Sequence, residues 1–220
     1  MATKAPTKTA AKTTRARATT TPRAATTRKT ASASNETGLL GGATGAMLGA
    51  AAAGVAVGLI ANLGRKTAVQ APTYFAGEWD EALAAEHAAT LKVFDAMLDT
   101  SEKNTVKRSL LLMQLKHALS KHALQEENVI YPALRDAGQT EEADHLNHDH
   151  GYVKQYLYDL ENMPNESPAF AAKVAEFRAA VAKHAAEEEE TIFPALKAKL
   201  SPERNKQLTT QMNKEGFKLA

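Results

Sequence analysis

Two stretches of the chain share one pattern of metal-binding residue types, KHALQEENVIYPAL and KHAAEEEETIFPAL. In the first stretch His122 precedes Glu126 by four residues, and in the second His184 precedes Glu188 by four. On a helix this spacing brings the two side chains of a pair onto one face, about one turn apart. Imidazole together with carboxylate is a ligand set that suits non-haem iron and related first-row metals. Two such pairs facing each other predict a dinuclear metal site.

Four long amphipathic helices are predicted to position these pairs. Apolar residues recur at steps of three or four, whereas no alternating strand pattern occurs. The breaks fall at Asn104, at Gly138 and at 163–165, which predicts short loops. The economical fold is an all-α, up-down four-helix bundle over residues 78–200. The predicted helices cover about 78–99, 103–134, 140–162 and 167–199.

Six polar residues lie on the otherwise apolar helix faces. A lone buried histidine is usually a hydrogen-bonded core residue, but buried carboxylates cost several kcal/mol unless they are paired or metal-bound. The chain repeats one pattern after 62–63 residues: a helix with one histidine is followed by a helix with His-x-x-x-Glu. This repeat predicts pseudo-twofold symmetry. The candidate metal ligands are therefore His87, His122, Glu126, His150, His184 and Glu188.

The other histidines and glutamates near these helices fall outside the repeat. Glu127 and Glu189 each follow a candidate ligand directly, so we expect them to support the ligands through hydrogen bonds. The remainder are predicted to be solvent-exposed side chains: His117, His145, His148, Glu187 and Glu190.

Over about 78–200 the sequence resembles the hemerythrin-like (HHE cation-binding) domain family, through its doubled His-x-x-x-Glu-Glu followed by Ile-Tyr-Pro or Ile-Phe-Pro. The resemblance implies a four-helix bundle with a non-haem di-iron centre that binds oxygen, nitric oxide or peroxide. It also implies that the six candidates are iron ligands and that Glu126 and Glu188 bridge the two irons.

Two departures from the oxygen-carrying members bear on function. Those members have a fifth histidine one turn after the third-helix ligand. This chain has Lys154 at that position, so Lys154 is a candidate residue beside an open coordination position. They also have an aspartate five residues after the last histidine, where this chain has Glu189. Both differences favour sensing, peroxide or nitric oxide chemistry, or iron handling over reversible oxygen carriage.

Three functional hypotheses follow. The first is a membrane-tethered di-iron protein that senses, binds or detoxifies oxygen, nitric oxide or peroxide. The second is a di-iron enzyme, such as a peroxidase or an iron-centre repair protein. The third is an architectural protein that binds DNA or membranes and has a degenerate bundle.

Because the chain has no cysteine, disulfides and thiolate-bound zinc are excluded.

The N-terminal residues 1–36 carry eight Lys and Arg against one acid, whereas the rest of the chain is acidic. Their near lack of large apolar residues predicts a disordered basic tail. Nucleic acid and anionic lipid are the expected partners. A solubilising flank and an organellar targeting segment are the alternatives.

Residues 37–64 form an uncharged Gly/Ala-rich apolar segment of 28 positions, long enough to cross a bilayer as a helix. Its recurrent glycines resemble a glycine zipper, which would favour homo-oligomers, while a flexible linker is the alternative. We therefore expect the protein to associate with a membrane, but the sequence does not predict on which side of the membrane the folded domain lies. Without membrane association, we expect a cytoplasmic location. Residues 65–77 are expected to be a linker, and 201–220 a C-terminal extension with a short helix.

Overall fold

The computed structural model describes residues 61–220, and this part of the chain is helical with no strand in it. The all-α prediction is therefore confirmed for these residues. The predicted tail 1–36 and most of the predicted apolar segment 37–64 lie outside them. The helices are α1 (61–75), α2 (Trp79–Leu98), α3 (Thr105–Gln125), α4 (Tyr131–Asp136), α5 (Thr140–Glu161), α6 (Pro168–Glu187), α7 (Phe193–Lys199) and α8 (Pro202–Leu219).

The long helices α2, α3, α5 and α6 pack into a bundle, and their ends agree with the predicted breaks. Asn104 immediately precedes α3. Gly138 adopts a φ of 78°, a left-handed conformation that lets the chain turn from α4 into α5. Ser167 accepts a hydrogen bond from the Ala169 N–H and caps the start of α6.

A π-helical turn follows each of the two helices that carry a His–Glu pair, at Glu126–Ile130 and at Glu188–Ile192. The chain stays helical through both turns, within the predicted helices, but the sequence pattern did not predict their π-helical geometry. A π-turn adds one residue to the helix, so the buried face beyond it moves by about 100°. Ala195, predicted to be buried, is exposed, whereas Phe193 and Leu196 are buried. Ala133, at the matching position after the first π-turn, is buried, so the shift alone does not decide burial there.

The apolar core consists of two clusters along the bundle, with the six predicted ligands between them. On α2, for example, His87 lies between Leu83 of one cluster and Phe94 of the other. A polar layer thus separates the two apolar halves of the bundle. The largest members of the first cluster are Trp79, Ile130, Tyr131, Phe193 and Leu208, and those of the second are Phe94, Leu115, Phe170 and Phe177.

The C-terminal residues form a long helix that belongs to the core. α8 has 18 residues and packs against α2, α3 and the first π-turn. Its Leu208 and Met212 are fully buried, and Asn205 accepts a hydrogen bond of 2.9 Å from Trp79 Nε1. The expected short helix in 201–220 is therefore an integral part of the bundle.

The residues expected to form a linker, 65–77, are helical as far as residue 75. The reason is that α1 has tertiary partners. Gln70 and Thr73 are buried, and the Lys66 ammonium donates to two carbonyls at the end of α8. Within residues 61–220, no helix is both long enough and apolar enough to traverse a bilayer.

Candidate metal centre

The bundle brings all six predicted ligands together in its interior. α2 and α5 each contribute one histidine, while α3 and α6 each contribute a histidine followed by the glutamate that begins a π-turn. None of the six residues exposes more than 8% of its surface. Their ligand atoms form two groups, and within each group these atoms lie within 4.8 Å of one another.

Glu126 contacts one histidine from each half of the repeat. Its Oε1 lies 3.1 Å from His122 Nε2, and its Oε2 lies 3.2 Å from His150 Nε2. Burial alone would raise the pKa of Glu126, but the two nearby imidazoles hold it well below its ordinary value. The two imidazoles therefore favour the ionised form of Glu126.

Glu188 makes the complementary contacts from the opposite side. Its Oε2 lies 3.3 Å from His87 Nε2 and 3.4 Å from His184 Nε2. Burial and the negative charge of Glu126 raise the pKa of Glu188 above its ordinary value. Two buried carboxylates this close need positive charge between them, and the histidines supply it when protonated.

Each candidate histidine also has a carboxylate facing its outer nitrogen, Nδ1. Such carboxylates fix the ring orientation and the tautomer of metal-binding histidines. Glu127 and Glu189 lie where the sequence predicted supporting residues, whereas Glu86 and Asp149 were missed. The overlooked signal is that each of these two acids directly precedes a candidate histidine. The Nδ1–carboxylate pairs are His87–Glu189 (2.7 Å), His122–Glu86 (3.3 Å), His150–Glu127 (3.0 Å) and His184–Asp149 (3.5 Å).

Two lysines neutralise carboxylates of this outer layer. The Lys121 ammonium is buried and donates to Glu86 Oε1 at 2.8 Å. Burial would raise the pKa of Glu86, but His122 and Lys121 lower it to about 2. Lys154 is 65% exposed and donates to Glu127 Oε1 at 3.1 Å. Lys154 thus contacts a supporting carboxylate and extends into solvent.

Tyr131 adds a hydroxyl that the sequence analysis did not single out. Its phenol oxygen lies 3.3 Å from both Glu126 and Glu188, and 3.0 Å from His150 Nε2. Burial and the two nearby carboxylates raise the pKa of Tyr131 well above its ordinary value, so the phenol keeps its proton. Phe193 occupies the matching position of the second repeat, which makes this end of the site asymmetric.

A cavity of about 20 Å³ lies beside the four histidines. Such a volume accommodates roughly one water-sized molecule. Its remaining walls are mostly apolar. They comprise Thr90, Leu119, Ala123, Val153 and Val181.

The donor set fits a bound cation. Within the described residues, several buried ligand atoms of the cluster have no hydrogen-bond partner, although they lie close to one another. Buried polar atoms are rarely left in this way, because each costs about 1–3 kcal/mol. A cation among them would satisfy all of these atoms at once. They are His87 Nε2, His122 Nε2, Glu126 Oε1, His184 Nε2 and Glu188 Oε2.

The histidines excluded from the predicted site lie outside the buried cluster. His117 and His148 are exposed, as expected. His145 is also exposed, but its Nε2 lies 3.2 Å from Glu187. Glu190 is exposed as well.

The sequence has relatives among known proteins. The hemerythrin HHE cation binding domain family matches residues 80–196, which include all six clustered residues. A protein of Nostoc sp. named DNA nickase is 29% identical over 98 residues, which are 44% of this chain and 28% of that protein. The chain thus spans under a third of that relative's length. With a family match over half of its length and a buried His/Glu cluster, the chain belongs to the hemerythrin HHE cation-binding domain family.

Proposed function

We propose that this chain is a non-haem di-iron protein that binds oxygen, nitric oxide or peroxide, for sensing or detoxification. The observation that carries the proposal is the placement of the two carboxylates. Glu126 contacts His122 and His150, while Glu188 contacts His87 and His184. Each carboxylate reaches one histidine of each half of the repeat, and Glu126 belongs to both groups of ligand atoms, which supports a bridging role.

Iron is the favoured metal because of the ligand types. Four imidazoles and two carboxylates, without any thiolate, are ligands of non-haem iron and related metals. An iron pair held by His87, His122, Glu126, His150, His184 and Glu188 would supply redox chemistry and open coordination positions.

The surrounding residues limit what can reach the centre. The cavity of about 20 Å³ admits a molecule of a few atoms, in keeping with a diatomic gas or peroxide. The Tyr131 phenol oxygen lies 3.3 Å from both carboxylates, so its hydroxyl can donate a hydrogen bond to either of them. Lys154 stands where the oxygen carriers have a histidine, which favours reactive chemistry or sensing over oxygen carriage.

Metal content and an optical spectrum of the purified 220-residue chain test the proposal. We expect about two irons per chain and the near-ultraviolet absorption of a ferric pair. The variant His122→Ala should lose both, whereas His117→Ala, an exposed histidine on the same helix, should retain both. Protein that carries no iron after expression with ample iron would overturn the proposal.

Catalysis is the alternative use of the same centre. Repeated consumption of peroxide or nitric oxide by one protein molecule would identify an enzyme. A single stoichiometric reaction would identify a binding or sensing protein.

A role in nucleic-acid binding is the second candidate, and the basic residues 1–36 favour it. The Nostoc relative is named a DNA nickase, so duplex DNA is the first ligand to test. Binding through such a tail should weaken steeply with salt and disappear when 1–36 are deleted. Vesicles that contain anionic lipid provide the matching test for tethering through 1–64.

A further inference from the structure

A second group of metal-ligating side chains lies on the surface of the bundle, outside the six-residue centre. His145 and Asp149 are four residues apart on α5, and Glu187 is the last residue of α6. His145 Nε2 lies 3.2 Å from Glu187 and 3.9 Å from Asp149 Oδ2. One ligand atom from each of the three residues lies within 4.8 Å of the others. We call these residues the outer cluster.

Asp149 connects the outer cluster to the buried centre. Its Oδ2 lies 3.5 Å from Nδ1 of His184, whose side chain is only 9% exposed. This buried nitrogen has no hydrogen-bond partner in the described part of the chain, although it points toward Asp149. A buried polar atom directed at an outer carboxylate distinguishes this group from an ordinary surface ion pair.

A cleft on the protein surface leads from Asp149 toward the interior. This outer cleft has a volume of about 280 Å³, and its lining includes Asp149, Tyr152, Val153, Lys183 and His184. Val153 and His184 also line the small cavity beside the centre. Val153 and His184 therefore lie between the outer cleft and the small cavity.

We propose that His145, Asp149 and Glu187 form a second cation site, which takes up a divalent first-row metal and delivers it along the outer cleft to the buried centre. One imidazole and two carboxylates are suitable ligands for Fe²⁺, Mn²⁺, Co²⁺ and Zn²⁺. Two carboxylate charges also balance a divalent cation. Because His145 is 47% exposed and Glu187 is 35% exposed, water completes the coordination and exchange is fast.

The role in delivery rests on the proposed cation centre, but the binding itself can be measured separately. Metal-free 220-residue protein is dialysed against Co²⁺ or Zn²⁺, and uptake of Fe²⁺ without oxygen is followed in time. The wild type should bind one cation more than the buried centre holds, with lower affinity. His145→Ala and Glu187→Gln should weaken this extra site by at least about tenfold. Both variants should fill the buried centre to the same level but more slowly.

Two further variants complete the test. His148→Ala, an exposed histidine on the same helix, should behave as the wild type. His122→Ala should lose the buried cations and keep the extra one, so failure of the buried centre is told apart from failure of the outer site. The inference is overturned if the wild type binds no extra cation, or if His145→Ala and Glu187→Gln bind it unchanged. Unchanged uptake rates in both variants would overturn the delivery role.

Discussion

The carboxylates behind the histidine rings differ in burial, and this difference separates their effects on stability and on metal binding. The side chain of Glu86 is 10% exposed, and its carboxylate pairs with both the Lys121 ammonium and the His122 ring. Glu86→Gln should lower the free energy of unfolding by about 3–5 kcal/mol, because the Lys121 ammonium stays buried without its counter-ion. Denaturant unfolding of the metal-free protein measures this loss.

Glu189→Gln is the matched control, since Glu189 makes the equivalent contact with His87 but is 38% exposed. We expect a change in unfolding free energy below about 1 kcal/mol. Metal affinity should nevertheless fall by about tenfold, because the ring loses its orienting acceptor. Equal destabilisation by the two substitutions would contradict the assigned role of Lys121.

Deprotonation of the histidines should make the metal-free protein less stable at alkaline pH. Burial would lower the pKa of His150, but Glu126 and Glu127 raise it to about 9. The pKa of His122 is likewise raised. Stability from these charged rings is fully present below the unfolded pKa of about 6.5 and is lost as the pH rises through about 9.

The measurement is the denaturation midpoint of chelator-treated protein at pH 6.5 and at pH 9, which should be lower at pH 9. With metal present the decrease should be smaller, because the cation replaces the protons and its affinity increases as the histidines deprotonate. A midpoint that increases toward pH 9 in the metal-free protein would be inconsistent with this charge balance.

Among the elements, α1 joins the bundle through a buried polar network beside the centre. The Thr73 hydroxyl donates to Glu86 Oε1 at 2.7 Å and accepts from the Lys121 ammonium at 3.0 Å. Gln70 Oε1 accepts from the same ammonium at 2.9 Å. Through Glu86, α1 therefore contacts a carboxylate that orients His122.

Thr73→Val should lower the free energy of unfolding by about 1–3 kcal/mol, because buried partners lose a hydrogen bond while the side-chain shape is kept. Thr67→Val on the same helix is the control, since the exposed Thr67 hydroxyl bonds only to a carbonyl of its own helix. Thermal melts of the two variants provide the comparison. Similar melting temperatures would show that α1 does not support the centre.

Helical periodicity predicted the long elements, but the π-turns and the packing of α1 and α8 were not predictable from it. Each His–Glu pair reaches only the first residue of its π-turn, so its spacing stays that of an α-helix and the six residues come together as predicted. Their role as metal ligands stays a prediction. Beyond the π-turns Ala195 is exposed while the matching Ala133 is buried, so burial there depends on tertiary packing rather than on helical periodicity. The residues of α8 are mostly polar, and the buried polar residues of α1 and α8 depend on partners such as Lys121 and Trp79 that lie far away in the sequence.

At the scale of the whole molecule, the polar layer divides the core into two apolar halves. Neither apolar cluster includes any of the six residues of the centre. Cation binding in this layer would therefore join helices of the bundle at the position where apolar packing is interrupted. Stability should accordingly depend on metal more strongly than for a cation bound at the surface.

Removal of the metal tests this dependence. Free cation at 100 times its dissociation constant should add about 2.7 kcal/mol for a single site, and a second site adds to this. Chelation should thus lower the melting temperature of the wild type, and added iron should restore it. His122→Ala should melt at a temperature that neither treatment changes, whereas His145→Ala should respond as the wild type does, because the outer cluster spans only two helices. Insensitivity of the wild type to chelation would mean that the buried layer is satisfied without a cation.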